Sequence, residues 1–451
     1  MLGSKTSNCT NWKLPVILGV GFGLFLIFVW SFRFERPVDR LAVTVSGSME
    51  PFLAGPVQFA ECSRCSVRFG YSVSSIDHQL PLLCIHCGAP VSLTDSVESP
   101  DEVRIGMIGA QSIAVGDVVV FGSEEERISG VKRVVGLPKD RVEIRGGDLF
   151  VNEQIITKSL TNFLRQGVLV DVLQVGKHPF PHWVDASEDR YPQSIEEFAA
   201  SPVWFGFQPD RRSNLTEGKN SIRDDFWMNQ GERLHPVPVQ DLGLLIEWKS
   251  GNRDSDSEIE SNIECKIESN GIQYGICFER TDSNVSVFRL EIPSKIEERK
   301  LLASWPTKPD RDWCSFAIVD GRTLIGGESD EFSLDLAASK MQTGTFHTER
   351  FPCSLRVVRG GGGLTRISVI RDLYYRASIG LRDGEISSGV EGYTLLGDNV
   401  ALSDDSRKRF PLGVDRNRIS GWIEPGTNRL ASIHRQQRLY YSPLFHPTNA
   451  N

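Results

Sequence analysis

The sequence has no long basic run, and 50 Lys and Arg against 58 Asp and Glu leave a formal net charge of −8. A nucleic-acid partner therefore has little electrostatic support. Histidine is scarce, with eight residues in 451, so imidazole chemistry has few candidate positions. No repeat at a fixed period is evident, which removes the usual sign of a solenoid or propeller. Nor is the composition that of a disordered chain, since 40% of residues are apolar and 24% charged. A chain of 451 residues is too long for one ordinary core, and two or three domains are expected.

What is present begins with an apolar run. Leu14 to Phe32 holds 19 residues without a charge, bounded by Lys13 and Arg33. As a helix it would span ~28 Å, close to the thickness of bilayer hydrocarbon. Trp12 and Trp30 stand near its ends, where amphipathic rings settle at the interface. The run is longer than the core of a secretory signal, and Arg33-Phe34-Glu35-Arg36-Pro37 follows it instead of a small-x-small cleavage site. A retained single span is expected. Lys5 and Lys13 on one flank face Arg33, Arg36 and Arg40 on the other, so charge counting gives no orientation.

The rest reads as mainly β, with β-branched runs punctuated by Gly, Pro and paired polar residues. Six parts follow one another. Residues 1–40 hold the tail and span, 41–54 are strand-like, 55–104 contain two cysteine pairs, 105–159 return to strands and turns, and 160–386 form a long stretch before 387–430 resume the earlier character. Within 160–386, Asn270-Gly271 and Asp320-Gly321 mark tight hairpins, and Gly360 to Gly363 join two further strand-like runs. A β-sandwich is expected there, somewhat like the laminin-G or concanavalin-like sandwiches. The Asn270-Gly271 turn would set Ser269 opposite Ile272, Cys265 opposite Ile276 and Cys277 opposite Glu264. Cys265 and Cys277 then point to different faces, which argues against a bridge between them. A Cys314–Cys353 bridge stays open.

Chemistry concentrates in four short motifs. Ser46-Gly47-Ser48-Met49-Glu50-Pro51 offers two hydroxyls around a glycine in a tight polar turn. Val115-Gly116-Asp117-Val118-Val119-Val120-Phe121 comes next, then Gly130-Val131-Lys132-Arg133-Val134-Val135-Gly136-Leu137-Pro138, and last Gly397-Asp398-Asn399 with Ser403-x-Asp405-Ser406-Arg407. Taken singly, the turn would be structural and Lys132 an exposed strand lysine. Together, in this order and directly after one span, they resemble the type I signal peptidases. The resemblance covers about a third of the chain, leaving the regions 55–104 and 160–386 outside it.

The resemblance implies Ser48 as nucleophile and Lys132 as general base. It gives Ser46 to the oxyanion hole beside the Ser48 N–H, Ser403 to the orientation of Lys132, and Asp405 with Arg407 to a supporting ion pair. Lysine at 132 is the bacterial Ser-Lys pattern, where archaeal and endoplasmic-reticulum relatives have histidine. No histidine falls in the motifs, which disfavours a Ser-His-Asp triad. A solvated lysine, with pKa near 10.4, is a poor base at neutral pH, but burial among apolar residues such as Val131, Val134 and Val135 would lower it. Two positions depart from the family: Lys139 stands where glycine is usual, and Phe52 where threonine is common. The expected activity is a serine endopeptidase of the cell membrane, its catalytic region outside the cytoplasm, acting on the signal peptides of preproteins. The alternative is a membrane-tethered binding or adhesion protein built on a degenerate peptidase core, with 160–386 as its module and the ligand of that module unspecified.

Cys62-x-x-Cys65 and Cys84-x-x-Cys87, with 18 residues between the pairs, have the spacing of a four-thiolate zinc ribbon. Four sulfurs would fill the tetrahedron, so such a zinc would be structural and no cofactor is expected for catalysis.

Overall fold

The computed structural model describes residues 38–440 except 65–67, 85–87, 108–111, 123–129, 175–181, 188–194, 201–202, 209–221, 225–227, 231–236, 249–261, 270–271, 280–283, 292–297, 307–312, 328–329, 337–350, 360–363, 379–380, 425 and 427. The expected span, Leu14 to Phe32, lies outside the described residues. Among the described residues no helix is long and apolar enough to cross a membrane. Strands dominate the described residues, arranged there in five sheets of antiparallel neighbours, in agreement with the mainly β reading.

The motifs meet on a six-stranded sheet ordered Val38–Val43, Glu102–Met107, Ile419–Ile423, Val118–Phe121, Gly130–Gly136 and Thr394–Leu396. Val118–Phe121 is an unbroken apolar run and is buried throughout, as suits a strand covered on both faces. It sets Val119 opposite Lys132 and Val118 opposite Arg133. Because side chains alternate, Lys132 shares its face with Val134 while Arg133 takes the other. Ile113, Val119, Phe121, Val134 and Leu395 cluster on the first face. Met49, Leu53, Val118, Val120 and Ile423 cluster on the second. A four-stranded sheet flanks it, and its last strand, Gly384–Ser388, runs across the 386/387 division expected from the sequence.

Within 160–386 a six-stranded sheet faces a seven-stranded one. Leu244, Ile246, Phe316, Ile318, Ile367 and Val369 from the first share one core with Ile263, Cys265, Ile267, Ile276, Leu355 and Val357 from the second. Two sheets around a common interior make a sandwich. Asn262–Ser269 and Ile272–Glu279 pair in the register read from the sequence, with Cys265 opposite Ile276 and Glu264 opposite Cys277. Asp320 and Gly321 both take positive φ, 52° and 71°, as a tight two-residue hairpin requires.

One connection passes from sheet to sheet. Cys353–Arg359 belongs to the seven-stranded sheet and Leu364–Arg371 to the six-stranded one, so Gly360 to Gly363 link the two sheets and not two neighbouring strands. The inward residues of either strand need an apolar partner, and a facing sheet satisfies that need as well as an adjacent strand does. Two helices pack on the outer face of the six-stranded sheet. Leu160–Gln166, capped by Ser159 Oγ accepting the Asn162 N–H at 3.1 Å, and Ala431–Tyr440 bury Phe163, Leu164 and Ile433 with Leu245, Val319 and Ile370 on the outer face of the six-stranded sheet.

A charged cluster sits where this sheet meets the four-stranded one. Lys158 Nζ lies 2.7 Å from Asp372 and 3.3 Å from Asp320, and the carboxylates of Asp148, Asp241 and Asp320 approach within 4.8 Å of one another. Four carboxyls thus share one ammonium. Burial, with repulsion from the neighbouring carboxylates, lifts Asp148 to about 7 and raises Asp241 and Asp372 as well. Groups held above their ordinary carboxylate range favour the fold at acid pH, and that contribution is lost as pH rises through the folded values. Lys158→Met should therefore cost about 3–5 kcal/mol at pH 8 and clearly less at pH 5. Denaturant unfolding at the two pH values measures this; equal losses at both would remove the electrostatic account.

Candidate active site

The turn that carries Ser48 is short and fully determined by its neighbours. Gly47–Met49 forms a single 3-10 turn in which the Glu50 N–H donates to the Gly47 carbonyl at 3.2 Å. Met49 is buried in the apolar cluster and holds the turn down, leaving Ser48 half-buried and Ser46 exposed. Gly47 is required by space: an added Cβ would collide with Ser72 Oγ and lie 2.6 Å from Glu50 Oε2.

The structure brings Lys132 to this turn from 84 residues away. Its Nζ donates to Ser48 Oγ at 2.9 Å and to the Val131 carbonyl at 3.1 Å. Ser46 Oγ donates to Ser48 Oγ at 3.3 Å. Lys132 is 5% exposed, and burial pushes its pKa down, with Asp405, Asp398 and Asp404 pulling partly in the other direction. A proton can pass between hydroxyl and amine at this distance.

The last motif closes over the same point. The Asn399 N–H donates to the Ser48 carbonyl at 3.1 Å, and a Cβ on Gly397 would sit 2.5 Å from that oxygen. Asp405 accepts the Gly397 N–H at 3.0 Å and is gripped by Arg407 through Nε at 2.8 Å and a second guanidinium nitrogen at 2.5 Å. Burial pushes the Asp405 carboxyl up, but Arg407, Ser403 and the Gly397 amide outweigh it and hold the group below the usual carboxylate range. Ser403 departs from the role implied by resemblance. Its hydroxyl is fully buried beside Asp405, and no hydrogen bond joins it to Lys132. It is packed against Gly397, where an added Cβ would overlap it, and the Ser403 N–H is committed to the Asn399 carbonyl at 2.9 Å.

Several participants were not assigned from the sequence. Arg133 forms a buried two-point pair with Asp398, Nε to Oδ1 at 2.9 Å, and donates to the Gly116 carbonyl at 2.9 Å. One side chain thereby ties three motifs together. Tyr375 adds a hydroxyl to Asp398 at 3.2 Å, and Asn229 exchanges amide bonds with Asn399 at 2.9 and 3.0 Å. Charges and amides 265 and 170 residues apart leave no local signal. The structure also accounts for the two positions that depart from the resembled motifs. Lys139 adopts φ 75°, the conformation glycine takes freely, so the turn keeps its shape at a cost. Phe52 lies under the Arg133 guanidinium at 4.9 Å.

Of the four paired cysteines, Cys62 and Cys84 are fully buried in one small cluster beside the three-stranded sheet of Val57–Glu61, Arg68–Ser72 and Ser92–Glu98. The chain reverses after Cys84, where Gly88 takes φ 70° and donates its N–H to the Cys84 carbonyl at 2.9 Å. Cys65 and Cys87 lie outside the described residues.

With this geometry in view, the comparisons fall into place. The family described as Signal peptidase, peptidase S26 matches residues 68–186, a stretch that contains Lys132. The chain is similar to signal peptidases. Over 37 residues it is 49% identical to signal peptidase I P of Bacillus subtilis subsp. natto, covering 8% of this chain and 20% of that protein. The match thus spans about a fifth of the relative's length. Among solved structures, the botulinum neurotoxin serotype D binding domain aligns at TM-score 0.21 and 10% identity, covering 52% of this chain and 46% of that one. The family 7 alginate lyase A1-II' aligns at 0.19 and 9%, covering 53% and 95%. Alignments this loose carry no argument about fold or chemistry.

Asp398→Ala would leave the Arg133 guanidinium buried without its counter-ion. A loss of about 3–5 kcal/mol in unfolding free energy is expected, measured by denaturant titration; a loss below ~1 kcal/mol would mean the pair is not what joins the motifs.

Proposed function

We propose that this protein is a membrane-bound serine endopeptidase that removes signal peptides from preproteins, with Ser48 as nucleophile and Lys132 as general base. The observation that carries the reading is the 2.9 Å contact between a half-buried serine hydroxyl and a buried amine whose pKa is lowered by desolvation. In its free-base form Lys132 takes the Ser48 proton as Oγ attacks the scissile carbonyl carbon. The oxyanion is met by the Ser46 hydroxyl and the Ser48 N–H, each worth ~3 kcal/mol when aimed at the developing charge. The ammonium then gives its proton to the departing amine, the C–N bond breaks, and an acyl-enzyme remains. Water, deprotonated by the same amine, attacks the ester and returns Ser48 to its starting state.

The Asp405–Arg407 pair supports this cycle by keeping the carboxylate neutralised. An unpaired carboxylate so near Lys132 would favour the ammonium form, and the Arg407 charge acts in the opposite sense. Ser403 serves as packing beside that pair. The segment Leu14 to Phe32 holds the site at a bilayer, on the side away from the cytoplasm, where signal peptides emerge; the substrate would present small residues one and three positions before the cut, in extended form. Cys62, Cys65, Cys84 and Cys87 hold a structural zinc, a reading supported by their spacing and by the shared burial of Cys62 and Cys84.

Ser48→Ala and Lys132→Ala should each lower kcat/KM on a preprotein by ~10³-fold or more, and Lys132→Arg should not restore it. For the wild type, activity should rise with pH as Lys132 loses its proton, with a midpoint below the ~10.4 of a solvated lysine. Near-normal processing by either alanine variant would end this reading. Elemental analysis of the full chain should find one zinc per chain, and Cys84→Ser should lower it; a metal-free wild type would dismiss the zinc.

A further inference from the structure

Glu50 stands two residues after Ser48, is fully buried, and has no part in the chemistry above. Its carboxyl folds back beneath the turn. Oε2 accepts from Asn399 Nδ2 at 3.4 Å, and the Ser72 hydroxyl and the Gly55 N–H bond the same carboxyl. Ser72 Oγ lies 3.0 Å from Ser74 Oγ, which accepts the Gly47 N–H at 2.9 Å. Asn399, on the other side, donates its own N–H to the Ser48 carbonyl. One carboxyl thus stands at the centre of a polar network that reaches the peptide groups before and after Ser48. Its second oxygen, Oε1, is buried with no hydrogen-bond partner.

We propose that Glu50 is a positioning residue, whose buried carboxyl sets the orientation of the Gly47–Ser48 turn and so the direction in which the Ser48 hydroxyl and N–H meet the substrate. The proposal rests on Ser48 being the nucleophile. A buried oxygen without a partner tolerates a neutral acid far better than a carboxylate. The charged groups nearby are already engaged. Arg435 of the Ala431–Tyr440 helix pairs with Asp101 at 2.5 Å. Asp224, Arg371, Arg376 and Asp398 line the cavity next to Glu50. Of these, Arg376 pairs with Asp224, Asp398 pairs with Arg133, and Arg371 donates to the Asp372 and Asp224 carbonyls. Burial then pushes the Glu50 pKa up to about 8, against the opposing pull of Ser72, Arg435, Gly55 and Asn399. With the folded value raised above the unfolded one, the neutral acid and its turn geometry are favoured at low pH and lost as pH climbs through about 8. Lys132 needs the opposite change, so the activity profile should fall on both sides, its acid limb set by Lys132 and its alkaline limb by Glu50.

The test is the pH dependence of preprotein cleavage by the full chain in detergent, for wild type, Glu50→Gln, Glu50→Ala and Ser48→Ala. Glu50→Gln, which keeps the neutral shape, should hold kcat within about threefold of wild type at pH 7 and lose the alkaline decline. Glu50→Ala should lower kcat about tenfold or more with KM little changed. A Gln variant that keeps the wild-type alkaline limb, or an Ala variant with wild-type kcat, overturns the positioning role. Should Glu50→Ala not fold, the Gln profile decides alone. Equal cleavage by wild type and Ser48→Ala overturns the nucleophile assignment, and the positioning role with it; an inactive Ser48→Ala beside an unchanged Gln profile overturns only the latter.

Discussion

Removing water from one ammonium group is the constraint around which the core is built. A lysine in solvent keeps its proton at neutral pH, and nothing about a strand lysine changes that unless apolar side chains replace its hydration shell. Val119, Val134 and Leu395 cluster on the face that Lys132 shares, and the strand beside it is buried along its length. The same burial makes every other polar group near the site expensive unless paired. That is the physical reason for the density of partners there: Arg133 with Asp398, Arg407 with Asp405, and Asn399 with Asn229 and the Ser48 carbonyl.

Those pairs also decide how the two large parts of the chain are joined. The strand Leu364–Arg371, a member of the sandwich, continues directly into Tyr375 and Arg376. Tyr375 bonds Asp398, and the Arg376 carbonyl accepts from Arg407 at 3.2 Å. Residues 228–230 approach from the other side: the Met228 carbonyl accepts the Ser72 N–H, and Asn229 reaches Asn399. The helix Ala431–Tyr440 adds a third tie, with the Ser432 hydroxyl on the Pro51 carbonyl and Gln437 on Ser368. Residues of the stretch 160–386 are therefore in direct bonded contact with those that shape the turn around Ser48.

How far the sequence alone could be read varies by the range of the interaction. Alternation marked the strands, two-residue turns set the Cys265–Ile276 register correctly, and the order of four motifs pointed to Ser48 and Lys132, which the fold brings to 2.9 Å. Each of those signals is local, or is a pattern of residue types that chemistry repeats. The helix Ala431–Tyr440 escaped notice because Arg435, Gln436 and Gln437 are buried along with Ile433 and Leu439, so the apolar periodicity that betrays most helices is diluted there. That Cys353–Arg359 and Leu364–Arg371 lie in different sheets was not legible, since a strand sequence states which face is apolar and not which sheet will cover it.

The sequence by itself determined the chemistry that this chain can offer, the hydroxyls, the amine and the paired cysteines, because those depend on residue type and spacing. Only the tertiary structure decided which of them work together. It set the 2.9 Å between Ser48 and Lys132, left the Ser403 hydroxyl without a bond to that amine, and buried Glu50 beneath the turn. Desolvation and hydrogen-bond direction are properties of what surrounds a group, and the surroundings of these residues come from strands and loops hundreds of positions away.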